Sequence, residues 1–320
     1  MNRPSNRPHN RRPSRRAALT AALALTVSLT GCGLSGNALD SGSGSGDCKT
    51  DKPKAGAVKI GSANFPESGL LAEIYAGALR AKGINATTTD PIGAREAYLK
   101  ALGDGSVQVV PEYTGSLLTF LDKEAKEKDP GEVYAALLTT IPCSQIALQP
   151  SAAEDSNAMV VTRATANKWG LKTVSDLAKH ANEIVIAAPP EFAGRDQGLL
   201  GLKSTYNLTP KSFRPLGATA AIVDALKNNQ AQAANIFTTD PSIKANDFVA
   251  LQDDKKLFGS DQVVPLVARQ AATPQLQVTL NAVSAKLTTD KLAEMVKQVV
   301  VDKKDATQVA KNFLQESGLA

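Results

Sequence analysis

Two α/β lobes facing each other across a cleft are what the sequence predicts, on three observations. Short apolar strands alternate with amphipathic helices from about residue 57 to the end, the pattern of mostly parallel sheets covered by helices. Residues 101–116 and 225–240 align without a gap: each reads as helix end, tight turn, strand, then an aromatic and a threonine. The chain has 320 residues, 42% hydrophobic and 21% charged, an ordinary globular balance with material for one to three domains. Disorder throughout, collagen and a polytopic membrane protein are excluded by that balance.

The elements follow in order. Val58, Lys59 and Ile60 form a strand, and residues 61–68 a turn. Leu70, Leu71, Ile74, Tyr75, Ala78 and Leu79 recur at helical spacing, with Gly83 as the stop. A strand over 84–89 precedes a helix over 94–102, ended by Gly103. A strand over 107–110 runs into Pro111-Glu112-Tyr113-Thr114-Gly115, and a helix covers about 131–140. A second set begins with a strand over 159–162, a helix within 169–179 and a strand over 184–187. That strand leads into Pro189-Pro190-Glu191-Phe192. Helices over 195–205 and 219–228 and a strand over 231–237 follow. The last helices lie near 274–286, 289–300 and 305–317. Ligands of open α/β sheets bind beyond the carboxyl ends of strands. Tyr113 and Phe237 both stand at such ends, which places a ligand between two similar lobes.

The first residues decide the compartment. The net charge is +5, but residues 1–31 hold six arginines and no acid; beyond them 30 bases face 31 acids. Nothing in the remainder argues for nucleic acid as a partner. Residues 17–30 are an apolar run too short to span a bilayer, and they fit the core of a signal peptide. The run ends in Leu29-Thr30-Gly31-Cys32, similar to the bacterial lipobox, so Cys32 is expected to carry lipid. Arg15-Arg16 leaves both general and twin-arginine export open. The Gly/Ser-rich residues that follow Cys32 cannot order themselves and read as a tether over 32–56. Of three cysteines, Cys48 and Cys143 then remain, and in an oxidising compartment a disulfide between them is expected.

Enzyme signatures are absent from the sequence: no Gly-x-Ser-x-Gly elbow, phosphate loop, dinucleotide fingerprint or His-Glu-x-x-His occurs. His180, the one histidine beyond the leader, closes an apparent surface helix where a cation suits the helix dipole. No metal or cofactor is expected. Aromatics are 4% of residues, yet Phe65, Tyr98, Tyr113, Tyr206 and Phe237 fall at turns and element ends. Ring faces attract cations, and a set of rings suits a quaternary ammonium, which has no N–H to donate.

The motifs Ile60-Gly61-Ser62-Ala63-Asn64-Phe65-Pro66-Glu67, Arg95-Glu96-Ala97-Tyr98-Leu99, Val110-Pro111-Glu112-Tyr113-Thr114-Gly115 and Pro190-Glu191-Phe192-Ala193-Gly194-Arg195-Asp196-Gln197 resemble a known family. It is that of the substrate-binding proteins of glycine betaine/carnitine/choline ABC transporters. The likeness covers about 57–320. It implies a two-lobed type II periplasmic-binding-protein fold and no enzymatic activity. It implies that Tyr98, Tyr113 and Tyr206 match an aromatic box and that Arg195 holds a ligand carboxylate. Phe237 stands where the family usually has tyrosine, and Ala63 where many members have lysine. Phe65 and Thr114 complete the expected ligand-binding set. Lobe I is expected over 57–155 and 253–320, and lobe II over 156–252. The implied protein is a monomer held by lipid to the outer face of the cell membrane. It delivers its solute to permease subunits driven by a separate ATPase. Two alternatives stay open: an uncharged or aromatic solute in the same fold, and an exported enzyme, using His180 or a carboxylate pair, or a purely structural lipoprotein.

Overall fold

The computed structural model describes residues 56–320. The leader over 1–31, the tether as far as residue 55, Cys32 and Cys48 lie outside the described residues. Apolar residues at helical spacing and short β-branched runs give the following order. The first part holds β1 (Val58–Ile60), α1 (Pro66–Ala81), β2 (Ala86–Thr88), α2 (Arg95–Gly103), β3 (Val109–Tyr113), α3 (Thr114–Leu121), α4 (Pro130–Thr140) and β4 (Gln145–Ala147). The second holds β5 (Asn157–Thr162), α5 (Arg163–Trp169), α6 (Val174–Ala178), β6 (Val185–Ala188), α7 (Leu199–Tyr206), β7 (Ser212–Pro215), α8 (Thr219–Lys227), β8 (Ala233–Phe237), α9 (Ser242–Ala245) and β9 (Phe248–Ala250). The chain then returns with β10 (Val263–Ala268), α10 (Pro274–Ser284), α11 (Thr289–Val300) and α12 (Ala306–Glu316).

Two five-stranded sheets result, in the orders β2-β1-β3-β10-β4 and β7-β6-β8-β5-β9. They are mixed, which corrects the expectation of mostly parallel sheets. The pairs β1–β2, β1–β3, β6–β7 and β6–β8 are parallel, while β10 and β5 run antiparallel to both of their neighbours. The reason is topological. β5 is the first strand after the chain leaves the first sheet, and β10 the first after it returns. Each takes the fourth place in its sheet. The internal match read from the sequence corresponds to α2–β3 and α8–β8, and both strands hold the third place.

Every residue of β3 and of β10 is buried, as expected of strands covered on both faces. On the first sheet, α1, α10, α11 and α12 cover one face, around Leu70, Ile74, Leu280 and Phe313. α2, α3 and α4 cover the other, around Leu102, Leu117 and Leu137. Pro66 opens α1, where its missing N–H is an orphan in any case, and Glu67 suits the positive end of the helix dipole. Gly83, at φ 76°, ends it: its N–H donates to Arg80 O and that of Ile84 to Leu79 O.

β10 was not expected, and β3 was expected to stop at Val110, because Pro265 and Pro111 interrupt them. In the structure the two prolines pair with each other. A hydrogen-bonded antiparallel pair needs both N–H groups, so this is a non-hydrogen-bonded pair, and each missing donor points away from the shared ladder. The expected helix over 195–205 begins only at Leu199. Leu257 and Phe258, in the segment that leads back to the first sheet, pack in the core of the second sheet.

α3 starts directly after β3, and Gly115 in its first turn lies against the segment leading into β10. A Cβ there would stand 2.3 Å from the carbonyl oxygen of Ser260. Gly115→Ala is therefore expected to destabilise the protein by about 1–3 kcal/mol, the usual cost of overpacking. A denaturant titration measures this, and an unchanged midpoint would show that the start of α3 moves aside freely.

Candidate functional site

β3 and β8 end at the space between the two sheets. β10 and β5, antiparallel to them, begin there: Val263 pairs with Tyr113, and Asn157 with Phe237. A cavity of about 490 Å³ lies at these ends. That is within the ordinary size of a small-molecule site. Phe65, Tyr98, Tyr113 and Asp261 line it from the first lobe, and Asn157, Arg195, Gln197, Asn235 and Phe237 from the second.

One wall is aromatic. The Phe65 ring, from the turn before α1, lies 5.2 Å from that of Phe237 and 6.2 Å from that of Tyr113, tilted by 33° and 32°. Contacts of this kind contribute roughly 0.5–1.5 kcal/mol beyond area burial. The Tyr113 hydroxyl donates to Glu67 Oε1 at 2.7 Å and the Tyr98 hydroxyl to Glu112 Oε1 at 2.5 Å. Burial pushes both phenols well above their ordinary value. Both hydroxyls are thus engaged within the protein.

Glu112, fully buried on β3, is the anchor of this wall. Arg95 grips it with Nε at 2.9 Å and Nη2 at 3.1 Å, and the Tyr113 N–H donates to it at 2.9 Å. Bidentate, charge-assisted bonds hold such a pair, and removing either partner would strand a buried charge.

The other wall is polar. Asp261 is 1% exposed and accepts the Ser116 N–H at 2.9 Å and the Ser116 hydroxyl. Burial pushes its carboxyl up to about 7. Asn157 Nδ2 donates to Gln197 Oε1 at 3.3 Å, Asn235 Nδ2 to Asn157 Oδ1 at 3.0 Å, and Gln197 Nε2 to the Phe258 carbonyl at 3.0 Å. At the mouth, Arg195 Nη2 donates to Glu96 Oε2 at 2.9 Å and its guanidinium lies 4.9 Å from the Phe120 ring. Glu96 and Phe120 belong to the first lobe, so Arg195 reaches across the opening.

Residues 56–316 match the family model described as the substrate-binding domain of ABC-type glycine betaine transport systems. The chain belongs to this family. A glycine-betaine-binding protein of Pseudomonas aeruginosa is 27% identical over 280 residues, 83% of this chain and 89% of that protein. A carnitine transport binding protein of Listeria monocytogenes is 26% identical over 267 residues, 81% and 86% of the two chains. The crystal structure of a glycine betaine/carnitine/choline ABC transporter protein superimposes with a TM-score of 0.65 at 26% identity, covering 82% of this chain and 99% of that one.

As a substrate-binding domain, the chain brings most of the residues expected from sequence to its cleft: Phe65, Tyr98, Tyr113, Arg195 and Phe237, with Ala63 beside them. Two do not line it. Tyr206 lies in the core of the second lobe, where its hydroxyl donates to Asp253 Oδ1 and accepts from the Lys255 N–H. Thr114 is fully buried, its hydroxyl accepting from the Gln262 N–H. Asp261, Asn157, Gln197, Asn235 and Ser116 were missed. The rule of strand ends applies equally to strands that begin at the cleft, but β10 was unrecognised behind Pro265. His180 is not among the cleft-lining residues: its ring stacks on Trp169 at 4.6 Å.

Below the aromatic wall, Glu67 also accepts the hydroxyl of Thr239, across the lobes, at 2.5 Å. Asp155 Oδ1 accepts the Thr239 N–H at 3.0 Å, and the Asp155 carboxyl shares a hydrogen bond with that of Glu67. Burial, then the charge of Glu67, pushes Asp155 well above the usual carboxylate range, and burial raises Glu67 too. Carboxyls raised in the folded state stabilise it at low pH and lose that contribution as pH rises through the raised values. Asn at 155 would mimic the protonated acid. Asp155→Asn is expected to raise stability by about 1–3 kcal/mol at pH 8.5, with the advantage shrinking toward pH 5. Denaturant titrations at the two pH values measure it; an advantage independent of pH would assign the titration elsewhere.

Proposed function

We propose that this substrate-binding protein captures a small quaternary-ammonium solute, of the class of glycine betaine, choline and carnitine, in an aromatic cage. The observation that carries the reading is the meeting of Phe65, Tyr113 and Phe237 at one wall of the cleft, with rings from both lobes. A quaternary cation gains from ring faces what it cannot gain from hydrogen bonds. Closure of the lobes brings the rings together, so the ligand favours the closed state by its differential affinity for it. The names of the relatives, which bind glycine betaine or take part in carnitine transport, support the same class.

The sequence supplies the setting. Residues 1–31 act as a signal peptide, Cys32 carries the lipid anchor, and residues 32–56 tether the folded part to the outer face of the cell membrane. Lobe I comprises 57–155 and the returning chain. Lobe II begins at 156, with the crossing as far as Phe258 packed against it. Cys48 and Cys143 pair. The receptor works as a monomer, and its partners are permease subunits powered by a separate ATPase.

Calorimetric titration with glycine betaine, choline, carnitine and proline betaine tests the reading. Micromolar binding of at least one is expected. Phe237→Leu keeps an apolar side chain and removes the ring face. It should weaken that binding roughly 30-fold, the equivalent of about 2 kcal/mol for a desolvated cation–π contact. Phe237→Tyr should retain it. Silence across the four solutes, or equal binding by the leucine variant, would overturn the cage.

A further inference from the structure

Two walls of opposite chemistry meet in the cleft, and the family reading uses only the aromatic one. Asp261 belongs to the other. Its carboxylate is buried, lines the cavity, and receives hydrogen bonds only from the backbone and hydroxyl of Ser116. An ionised carboxylate offers about four acceptor positions, so half of its capacity is unused. Among the described residues it has no ion pair. The two arginines of the cleft are committed elsewhere: Arg95 to Glu112, and Arg195 to Glu96. A buried charge without a counter-charge is costly, and here the cavity itself is the open side.

For an anion, the cavity lining offers only Lys123 besides the two arginines. Ala63 offers no charge at the position where many members of the family carry lysine. Arg195 already shares its charge with Glu96, so a ligand carboxylate would meet a guanidinium that is partly neutralised. Such a carboxylate, placed along the polar wall, would also meet Asp261.

We infer that Asp261 is a specificity-determining residue that makes the cleft prefer solutes of net positive charge, such as amino-alcohol cations, over zwitterions carrying their own carboxylate. This rests on the proposed quaternary-ammonium reading of the cleft and narrows it. The cation's apolar surface faces Phe65, Tyr113 and Phe237, and its charge is balanced by Asp261. Where the cation carries an N–H or a hydroxyl, the free positions of Asp261 and the amides of Asn157 and Gln197 accept it. The charged groups facing Asp261 are Arg95 on α2 and Glu112 on β3, which neutralise each other. The nearest groups from the second lobe, Asn157 and Gln197, are uncharged.

The test titrates the full-length protein with three probes at pH 8: choline, N,N-dimethylethanolamine and glycine betaine. The first is a quaternary cation, the second a cation with one N–H, and the third a zwitterion. Both cations should bind at least about tenfold more tightly than glycine betaine. Asp261→Asn should bring the ratio to within about threefold, with circular dichroism confirming that the variant is folded. Wild-type protein supplies a check free of any folding effect: the preference should narrow from pH 8 to pH 6 as Asp261 takes up a proton. Equal or tighter binding of glycine betaine by the wild type would overturn the inference, as would a preference unchanged in the variant; both leave the cage standing. Silence toward all three probes would overturn the cage and the inference together.

Discussion

The antiparallel pairing of one returning strand with each sheet's third strand is the constraint on which the architecture depends. β10 on β3 and β5 on β8 are the seams where the chain, having crossed between lobes, is sewn into the sheet it enters. A parallel strand at those places would begin at the far edge of the sheet and carry the crossing away from the cleft. Antiparallel pairing instead brings the starts of β5 and β10 beside the ends of β3 and β8. Four strand ends therefore converge, and the crossings run next to the ligand space. The close approach of Gly115 to Ser260 is part of the same seam, as is the ladder across the paired prolines Pro111 and Pro265.

That convergence explains the division of labour among the buried acids. Glu112 points back into its own lobe, where Arg95 and Tyr98 saturate it, so its charge serves to hold the wall in place. Glu67 and Asp155 sit at the crossing and bind the threonines after β8, so their shared protonation affects how the lobes meet. Asp261 shares neither arrangement. It has only Ser116 beneath it and the cavity in front. Three acidic environments within one site thus follow from three positions relative to the seam, not from differences of residue type.

Much of the fold was legible because its signals are local. Helical spacing in α1, α10, α11 and α12, and the repeated segment that became α2–β3 and α8–β8, needed no knowledge of distant contacts. What stayed hidden depended on tertiary pairing. A proline in an apolar run normally argues against a central strand, and only the pairing of Pro265 with Pro111 makes both harmless. The cleft shows the same division. Phe65, Tyr113 and Phe237 were found because Tyr113 and Phe237 end strands and Phe65 stands just before a helix. Asn157 begins a strand and Asp261 lies just before one, and their relevance appears only once those strands are known to be antiparallel. Tyr206 misled in the other direction: an aromatic at a helix end can as well cap a core, and its bonds to Asp253 and Lys255 fix it there.

Closure itself draws on contacts that need no ligand. Arg195 bridges the mouth to Glu96, Thr239 binds Glu67, Ser116 approaches Gln197, and Phe65 touches Phe237. The first of these involves a Glu96 side chain 58% exposed, and such ion pairs contribute about 0–1 kcal/mol. The cross-lobe hydrogen bonds are of comparable net size, roughly 0.5–1.5 kcal/mol each. Against them stands the buried charge of Asp261, which has no ion pair among the described residues. The protein's own contacts are thus set against a charge that a bound cation removes. A cation then shifts the balance twice, by meeting the rings and by relieving Asp261, and both effects are larger in the closed state. That difference between states, not the strength of any single contact, is what allows a receptor to report occupancy to its transporter.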